Sequence, residues 1–258
     1  YQATYDGLPA GADCTATETR TGGANSTTMS VDSGAPSSGT TTDFTTATGT
    51  PTDLVIDNTF NEGSVSVTKT ILGDGSILYG NGPFETTIAC THQVDGAPVA
   101  VDIPGGATRE LNALNGYAEE YDQLPAGASC DVTETKPGGA TSSEFTTAST
   151  GVAVAADATT PVELSNEFDI GFVKVDNLVT GNDAKRHLRD TYDVVLSCTQ
   201  DIDGVKTPIS IPDGATRDIW DKTSITYDDL PIGATCSLVE TVTNNAQTVT
   251  VMWHGMPV

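Results

Sequence analysis

The chain repeats itself. YDGLPAGADCTATETRTGGA from Tyr5, YDQLPAGASCDVTETKPGGA from Tyr121 and YDDLPIGATCSLVETVTNNA from Tyr227 are variants of one block. Their Leu-Pro pairs fall at Leu8, Leu124 and Leu230, spacings of 116 and 106 residues. Two more blocks recur: CTHQVDGAPVAVDIPGGATRE from Cys90 with CTQDIDGVKTPISIPDGATRD from Cys198, and LVIDNTFNEG from Leu54 with VELSNEFDIG from Val162. Self-similarity at about the length of one small domain means that the fold is built from copies of a unit. The copies are cut unevenly. Residues 1–62 hold the back part of a first unit, 63–168 a whole second unit, and 169–258 a third unit without its last strand. The chain opens at Tyr1 within strand-like sequence, with no signal peptide and no initiator Met. This is expected of a processed product or of one stretch of a longer tandem array.

Each copy reads as short strands. Phe84, Thr86, Ile88 and Cys90 alternate with Glu85, Thr87 and Ala89, and Tyr192, Val194, Leu196 and Cys198 do the same. Period-two patterning marks half-buried strands. Asp95-Gly96 and Asp203-Gly204 interrupt such runs as hairpin turns, and Gly105-Gly106 and Asp213-Gly214 mark the next turn. Thr/Ser/Gly/Pro stretches at 32–52 and 137–151 read as surface loops or edge strands, and no segment carries a 3.6-residue apolar stripe. The expectation is an all-β chain of tandem Ig-like β-sandwiches. The linkers Phe60-Asn61-Glu62-Gly63 and Phe168-Asp169-Ile170-Gly171 are short, which favours an extended rod.

Charge and cysteines narrow the setting. Asp and Glu number 35 against 11 Lys and Arg, a formal charge of -24. That field repels phosphate backbones and anionic lipid, so nucleic-acid binding and polybasic membrane docking are excluded. No apolar run reaches the roughly 20 residues of a membrane span. Of the five Cys, Cys90 and Cys130 lie in the second unit and Cys198 and Cys236 hold the same places in the third. Cys14 matches Cys130 and Cys236, and its partner would precede residue 1, leaving it unpaired. One pair per unit reads as a disulfide framework, and hence as an extracellular, cell-surface or secreted protein. The spacings fit no zinc pattern, with His only at His92, His187 and His254.

Polar residues fall in phase with the apolar ones. Cys14, Ala16 and Glu18 share a strand face, as do Cys130, Val132 and Glu134, and Cys236, Leu238 and Glu240. Leu54, Ile56, Asn58 and Phe60 share another, as do Val162, Leu164, Asn166 and Phe168; on the first strand Val65, Val67, Lys69 and Ile71 do so. One unit therefore aims a Lys, a Glu and an Asn at its interior, where each needs a partner. Such a trio has chemistry available. A desolvated Lys is a nucleophilic amine, and a buried carboxyl can hold the Asn carbonyl and carry protons. Attack on the Asn amide releases ammonia and leaves an amide cross-link between first and last strands.

SVTKT at 66–70, LPAGASCDVTET at 124–135 and LSNEF at 164–168 resemble actinobacterial cell-surface repeats of unknown function, which are similar to the Cna-B type domains of Gram-positive pilins and adhesins. The resemblance implies that Lys69 and Asn166 are joined by an isopeptide bond promoted by Glu134. In the third copy it carries over to Lys174 and Glu240, and the Lys-to-Glu spacings agree at 65 and 66 residues. In the first copy Glu18 and Asn58 remain without a Lys.

The expected function is structural: a stalk, fibre or pilus shaft of stapled sandwiches, with neighbouring repeats and other copies of the chain as partners. The alternative is an adhesin gripping a ligand through the loops of the repeats. An enzyme is not expected beyond the autocatalytic cross-link, since no Gly-x-Ser-x-Gly or His-Glu-x-x-His is present. No cofactor or metal is expected. Asp74, Asp201, Asp203, Asp213 and the run from Asp176 to Asp183 read as a solvated acidic surface rather than a Ca²⁺ site. Lys185-Arg186-His187-Leu188-Arg189 reads as a solvated loop, and Trp220, Trp253 and Tyr79 as packing residues. Asn25-Ser26-Thr27 is a glycosylation sequon in a eukaryotic secretory host alone.

Overall fold

A computed structural model describes residues 2–253 and 256–257, with side chains as far as Met252, so His254 and the side chain of Trp253 lie outside the described residues. The first repeat contributes β1 (Asp13–Thr17), β2 (Ser26–Val31), β3 (Ser37–Ser38), β4 (Thr41–Thr45) and β5 (Leu54–Thr59). The second contributes β6 (Glu62–Leu72), β7 (Phe84–Val94), β8 (Ala97–Ala100), β9 (Thr108–Leu111), β10 (Ala118–Pro125), β11 (Ser129–Lys136), β12 (Ser142–Phe145), β13 (Val152–Ala153) and β14 (Thr159–Glu167). The third contributes β15 (Ile170–Asp176), β16 (Tyr192–Ile202), β17 (Val205–Ile209), β18 (Thr216–Ile219), β19 (Ser224–Pro231) and β20 (Thr235–Val242). The strand pair β21 (Met252–Trp253) and β22 (Met256–Pro257) follows. Two four-residue helices, α1 (Ser76–Tyr79) and α2 (Ala184–His187), bury no side chain.

The middle repeat is a two-sheet sandwich. One sheet runs β10-β6-β14-β12; the other runs β13-β11-β7-β8, with β9 also on β7. All pairs are antiparallel except β6 and β14, the first and last long strands, which lie parallel side by side. The core is the inward set of both sheets: Val65 and Val67 of β6, Phe84 and Ile88 of β7, Tyr121 of β10, Val132 of β11, and Val162 and Leu164 of β14. The Asp95-Gly96 and Asp203-Gly204 turns both have positive φ at each residue, the backbone that joins two strands through a two-residue hairpin.

The β10 strand is bulged. Its pairing with β6 slips between Tyr121 and Leu124, and Gln123 there has φ 57°. The third repeat has the same slip between Tyr227 and Leu230, with Asp229 at φ 57°. The bulge lets Tyr and Leu, three apart in sequence, both point inward, and Tyr121, Leu124, Tyr227 and Leu230 are all buried.

The first repeat departs from the expected pattern. Tyr5, counterpart of Tyr121, lies outside any strand and is 84% exposed, and Leu8 is half exposed. Among the described residues no strand pairs with this segment. The last strand differs too: Ile56 and Phe60, expected on the inner face, are exposed, whereas Phe168 in the middle repeat is buried.

Candidate functional site

The parallel register of β6 and β14 sets Lys69 opposite Leu164 and Ile71 opposite Asn166, so Lys69 and Asn166 are diagonal neighbours on the inward face. From the other sheet, β11 supplies Glu134 opposite Thr86 of β7. Lys69 Nζ donates to Glu134 Oε1 at 2.5 Å, with the two side chains 0% and 4% exposed. Asn166, wholly buried, donates from Nδ2 to the same Oε1 at 3.0 Å and to the Pro137 carbonyl at 3.0 Å. The hydroxyl of Ser143 donates to the other carboxylate oxygen, Oε2. The Lys69 ammonium position lies 4.3 Å from the centre of the Phe84 ring.

The electrostatics favour a reactive amine. Burial pulls the Lys69 pKa below its ordinary value, and the Glu134 hydrogen bond and charge only partly oppose that. Asn166 Oδ1 is buried with no hydrogen-bond partner. A buried unpaired carbonyl costs free energy, about 1–3 kcal/mol, and here it belongs to the amide beside the amine.

In the first repeat Glu18 and Asn58 also meet. Asn58 Nδ2 donates to Glu18 Oε1 at 2.6 Å, and Thr27 Oγ1 donates to Asn58 Oδ1 at 2.6 Å. Glu18 Oε2 is buried without a partner.

The third repeat does not place Lys174 with Glu240. Lys174 is 54% exposed and pairs with Asp176 at 2.8 Å. The reason is parity: Val173 and Val175 pack on the core, so the residue between them points to solvent. The position of Lys69 is taken by Asn177. The Lys69 amide donates to the Tyr117 carbonyl at 2.9 Å, and the Asn177 amide donates to the Thr223 carbonyl at 3.1 Å. The signal was in the sequence: Cys90 and Cys198 are 108 apart, and the same step from Lys69 reaches Asn177. Asn177 Nδ2 is buried without a partner, and burial raises the Glu240 pKa.

Cys90 stands directly opposite Cys130 on β7 and β11, and Cys198 opposite Cys236 on β16 and β20; both pairs are disulfide-bonded. Cys14, opposite Phe44, is free. Among the acidic residues, Asp201 Oδ1 accepts the Gly204 amide and Asp203 Oδ1 the Gly138 amide, so both hold backbone turns. Among the described residues no three His, Cys, Asp or Glu side chains cluster as metal ligands. In the basic loop Arg186 pairs with Asp183 at 3.0 Å and His187 with Asp190 at 2.7 Å. Tyr79 donates its hydroxyl to the Asp229 carbonyl of the next repeat at 2.7 Å, and Trp220 is half exposed.

A family model matches the chain three times, over residues 1–61, 65–169 and 173–255. The chain belongs to the family described as Domain of unknown function (DUF5979). No curated protein matches it. Solved structures similar to this DUF5979 chain include the following three. Two B repeat units of the collagen binding protein of Staphylococcus aureus share 11% identity, at TM-score 0.29, over 89% of this chain and 68% of that one. The T-13 major pilin protein of Streptococcus pyogenes shares 14%, at TM-score 0.38, over 71% and 83%. A streptococcal ancillary pilin shares 18%, at TM-score 0.37, over 86% of this chain and 65% of its own length.

Proposed function

We propose that this chain is a structural segment of an extracellular, cell-surface array, whose middle repeat, residues 63–168, closes itself with an amide bond between Lys69 and Asn166. The observation that carries this is the shared Glu134 oxygen, with the amine and the carboxamide both buried on it. The lone pair of Lys69 Nζ attacks Asn166 Cγ. Glu134 takes the ammonium proton of Lys69 and so frees that lone pair, and a half-turn of the amide brings its unpartnered Oδ1 toward the resulting carboxylic acid, whose O–H polarises the carbonyl by donating a hydrogen bond. The new bond is Nζ–Cγ; the bond that breaks is Cγ–Nδ2. Glu134 carries the amine proton to the departing nitrogen, which leaves as ammonia. The sandwich supplies the proximity, and water is kept out by the Phe84 ring and the core around it.

Such a bond joins the first and last long strands of the repeat, so tension applied at its two ends passes through the bond and not through the core. That is the property wanted of a stalk or shaft. In the first repeat the Glu18–Asn58 pair would complete the same site once a Lys-bearing strand is present. The third repeat has Asn177 at the Lys position and relies on its disulfide. Intact-mass measurement on the reduced chain tests the reading: a deficit of one ammonia, located by tandem mass spectrometry to peptides holding Lys69 and Asn166, is expected. The full calculated mass would remove the cross-link. Array binding by the chain to a defined host or surface ligand would move the reading to the adhesin.

A further inference from the structure

The contacts between successive repeats are built from the same parts twice. At the first junction the Gly22 amide donates to Asp95 Oδ1 at 3.0 Å, and His92 Nε2 bonds the Gly23 carbonyl at 3.0 Å. At the second the Gly138 amide donates to Asp203 Oδ1 at 3.0 Å, and Gln200 Nε2 donates to the Gly139 carbonyl at 2.8 Å. The linker peptide is held the same way each time. The Asn61 amide donates to Asn25 Oδ1 at 2.7 Å and the Asp169 amide to Thr141 Oγ1 at 2.9 Å. The carbonyls of those two linker residues accept the Ala126 and Ile232 amides, at 2.9 and 3.0 Å.

We infer that the Gly-Gly turn between β1 and β2, or between β11 and β12, is a socket for the Asp-Gly hairpin of the following repeat, and that it locks the two repeats in one orientation. The partner it fits is a repeat of this kind, bearing an Asp at the hairpin and a His or Gln three residues before it. At the second glycine of each turn a side chain would crowd the seated hairpin. Gly23 and Gly139 have φ 79–85°, and a Cβ at Gly23 would lie 2.9 Å from His92 Nε2 and one at Gly139 3.1 Å from Ile202 Cγ1. A two-residue linker tethers the partners, so weak polar contacts act at high effective concentration.

The third repeat carries the turn but not the socket. Asn244 and Asn245 stand at the Gly-Gly positions with φ 48° and 62°, so the left-handed backbone persists. Asn245 stands at the place of Gly23 and Gly139 and so carries the Cβ that would crowd a hairpin seated as at the other two junctions. A hairpin of the same type therefore does not dock on the third repeat in this way. The two sites meet at one peptide, whose Pro137 carbonyl accepts from Asn166 and whose Gly138 amide donates to Asp203, but Asp203 and Gln200 contact only the junction, so a change at Asp203 tests the socket without touching Lys69, Glu134 or Asn166.

Residual dipolar couplings on the full chain test it. In the wild type, the amides of the second and third repeats are expected to fit one alignment tensor. Gly138→Asn with Gly139→Asn, which copies the third repeat's turn, should split that tensor in two while the first and second repeats keep theirs. Asp203→Ala, which leaves the turn intact, should also split it, and keeps the test open if the double variant misfolds. Separate tensors for the repeats in the wild type, or one tensor surviving in Asp203→Ala, would overturn the inference.

Discussion

Lys69 and Asn166, on adjacent parallel strands, donate to one and the same atom, Oε1 of Glu134, at 2.5 and 3.0 Å. Neither strand alone holds this geometry. The amine arrives on β6, the amide on β14, and the carboxylate on β11 of the facing sheet.

Glu134→Gln is expected to leave the chain at its full calculated mass, because the amide side chain cannot carry the proton from amine to leaving nitrogen. The variant should also lose stability by about 3–5 kcal/mol, the range for breaking a buried ion pair. Intact mass and thermal unfolding read the two effects separately. A Glu134→Gln chain that still lacks one ammonia would rule out the proton-carrying role.

The two lysines should behave oppositely. Lys69→Ala empties a buried position and strands Glu134, so a loss of about 3–5 kcal/mol is expected. Lys174→Ala removes an exposed pair with Asp176 and should change stability by no more than about 0.5 kcal/mol. Chemical denaturation of both variants makes the comparison, and a large effect from Lys174→Ala would mean that the Lys174 side chain faces the core.

Reduction of the disulfides should cost the third repeat more than the second. The closed loops are nearly equal, with separations of 40 and 38 residues, so each bridge is worth about 2–4 kcal/mol by chain entropy. The second repeat keeps its proposed amide bond when reduced; the third has none. Limited proteolysis with and without reductant should cut the third repeat first, and equal cutting would count against the amide.

Glu240 gives a pH signature. Burial raises its folded pKa above the ordinary 4.5, so the folded state binds its proton more tightly than the unfolded state. Its stabilising contribution is full below pH 4.5 and is lost as pH rises through the folded value. Glu240→Gln should therefore be the more stable protein near neutral pH, with the advantage fading as pH falls to 4.5. The site is partly solvated, so the gain is small, about 1 kcal/mol or less. Thermal unfolding of both chains across that range checks the sign.

Much of the site was legible in one dimension. Cys130, Val132 and Glu134 share a face because strand side chains alternate, and the buried Cys and Val fix which face it is. The same parity places Lys69 with Val65 and Val67. Lys174 was misread because a matching Lys-to-Glu spacing was followed across two segments that repeat with different steps: 108 residues for the first strands and 106 for the Tyr-Leu-Pro blocks. Pairing decides such cases. Val65 stands opposite Tyr121 and Val173 opposite Tyr227, which puts Lys174 at the place of Ser66. The junctions were hidden for a different reason. Gly22, Asp95, Asn25 and Asn61 look like ordinary turn and linker residues until two repeats meet.

The amino-acid order alone determined the repeated unit, the alternating strands, the hairpin turns and the face each side chain takes, because these follow from local backbone geometry and a two-residue period. Only the folded chain decided which strands stand side by side, whether a given face is covered, and how one repeat seats on the next. Those depend on partners distant in sequence. Tyr121 shows the difference: its face is set by its own strand, but its burial comes from β6 beside it and from the core residues of β7 and β11 across the sandwich.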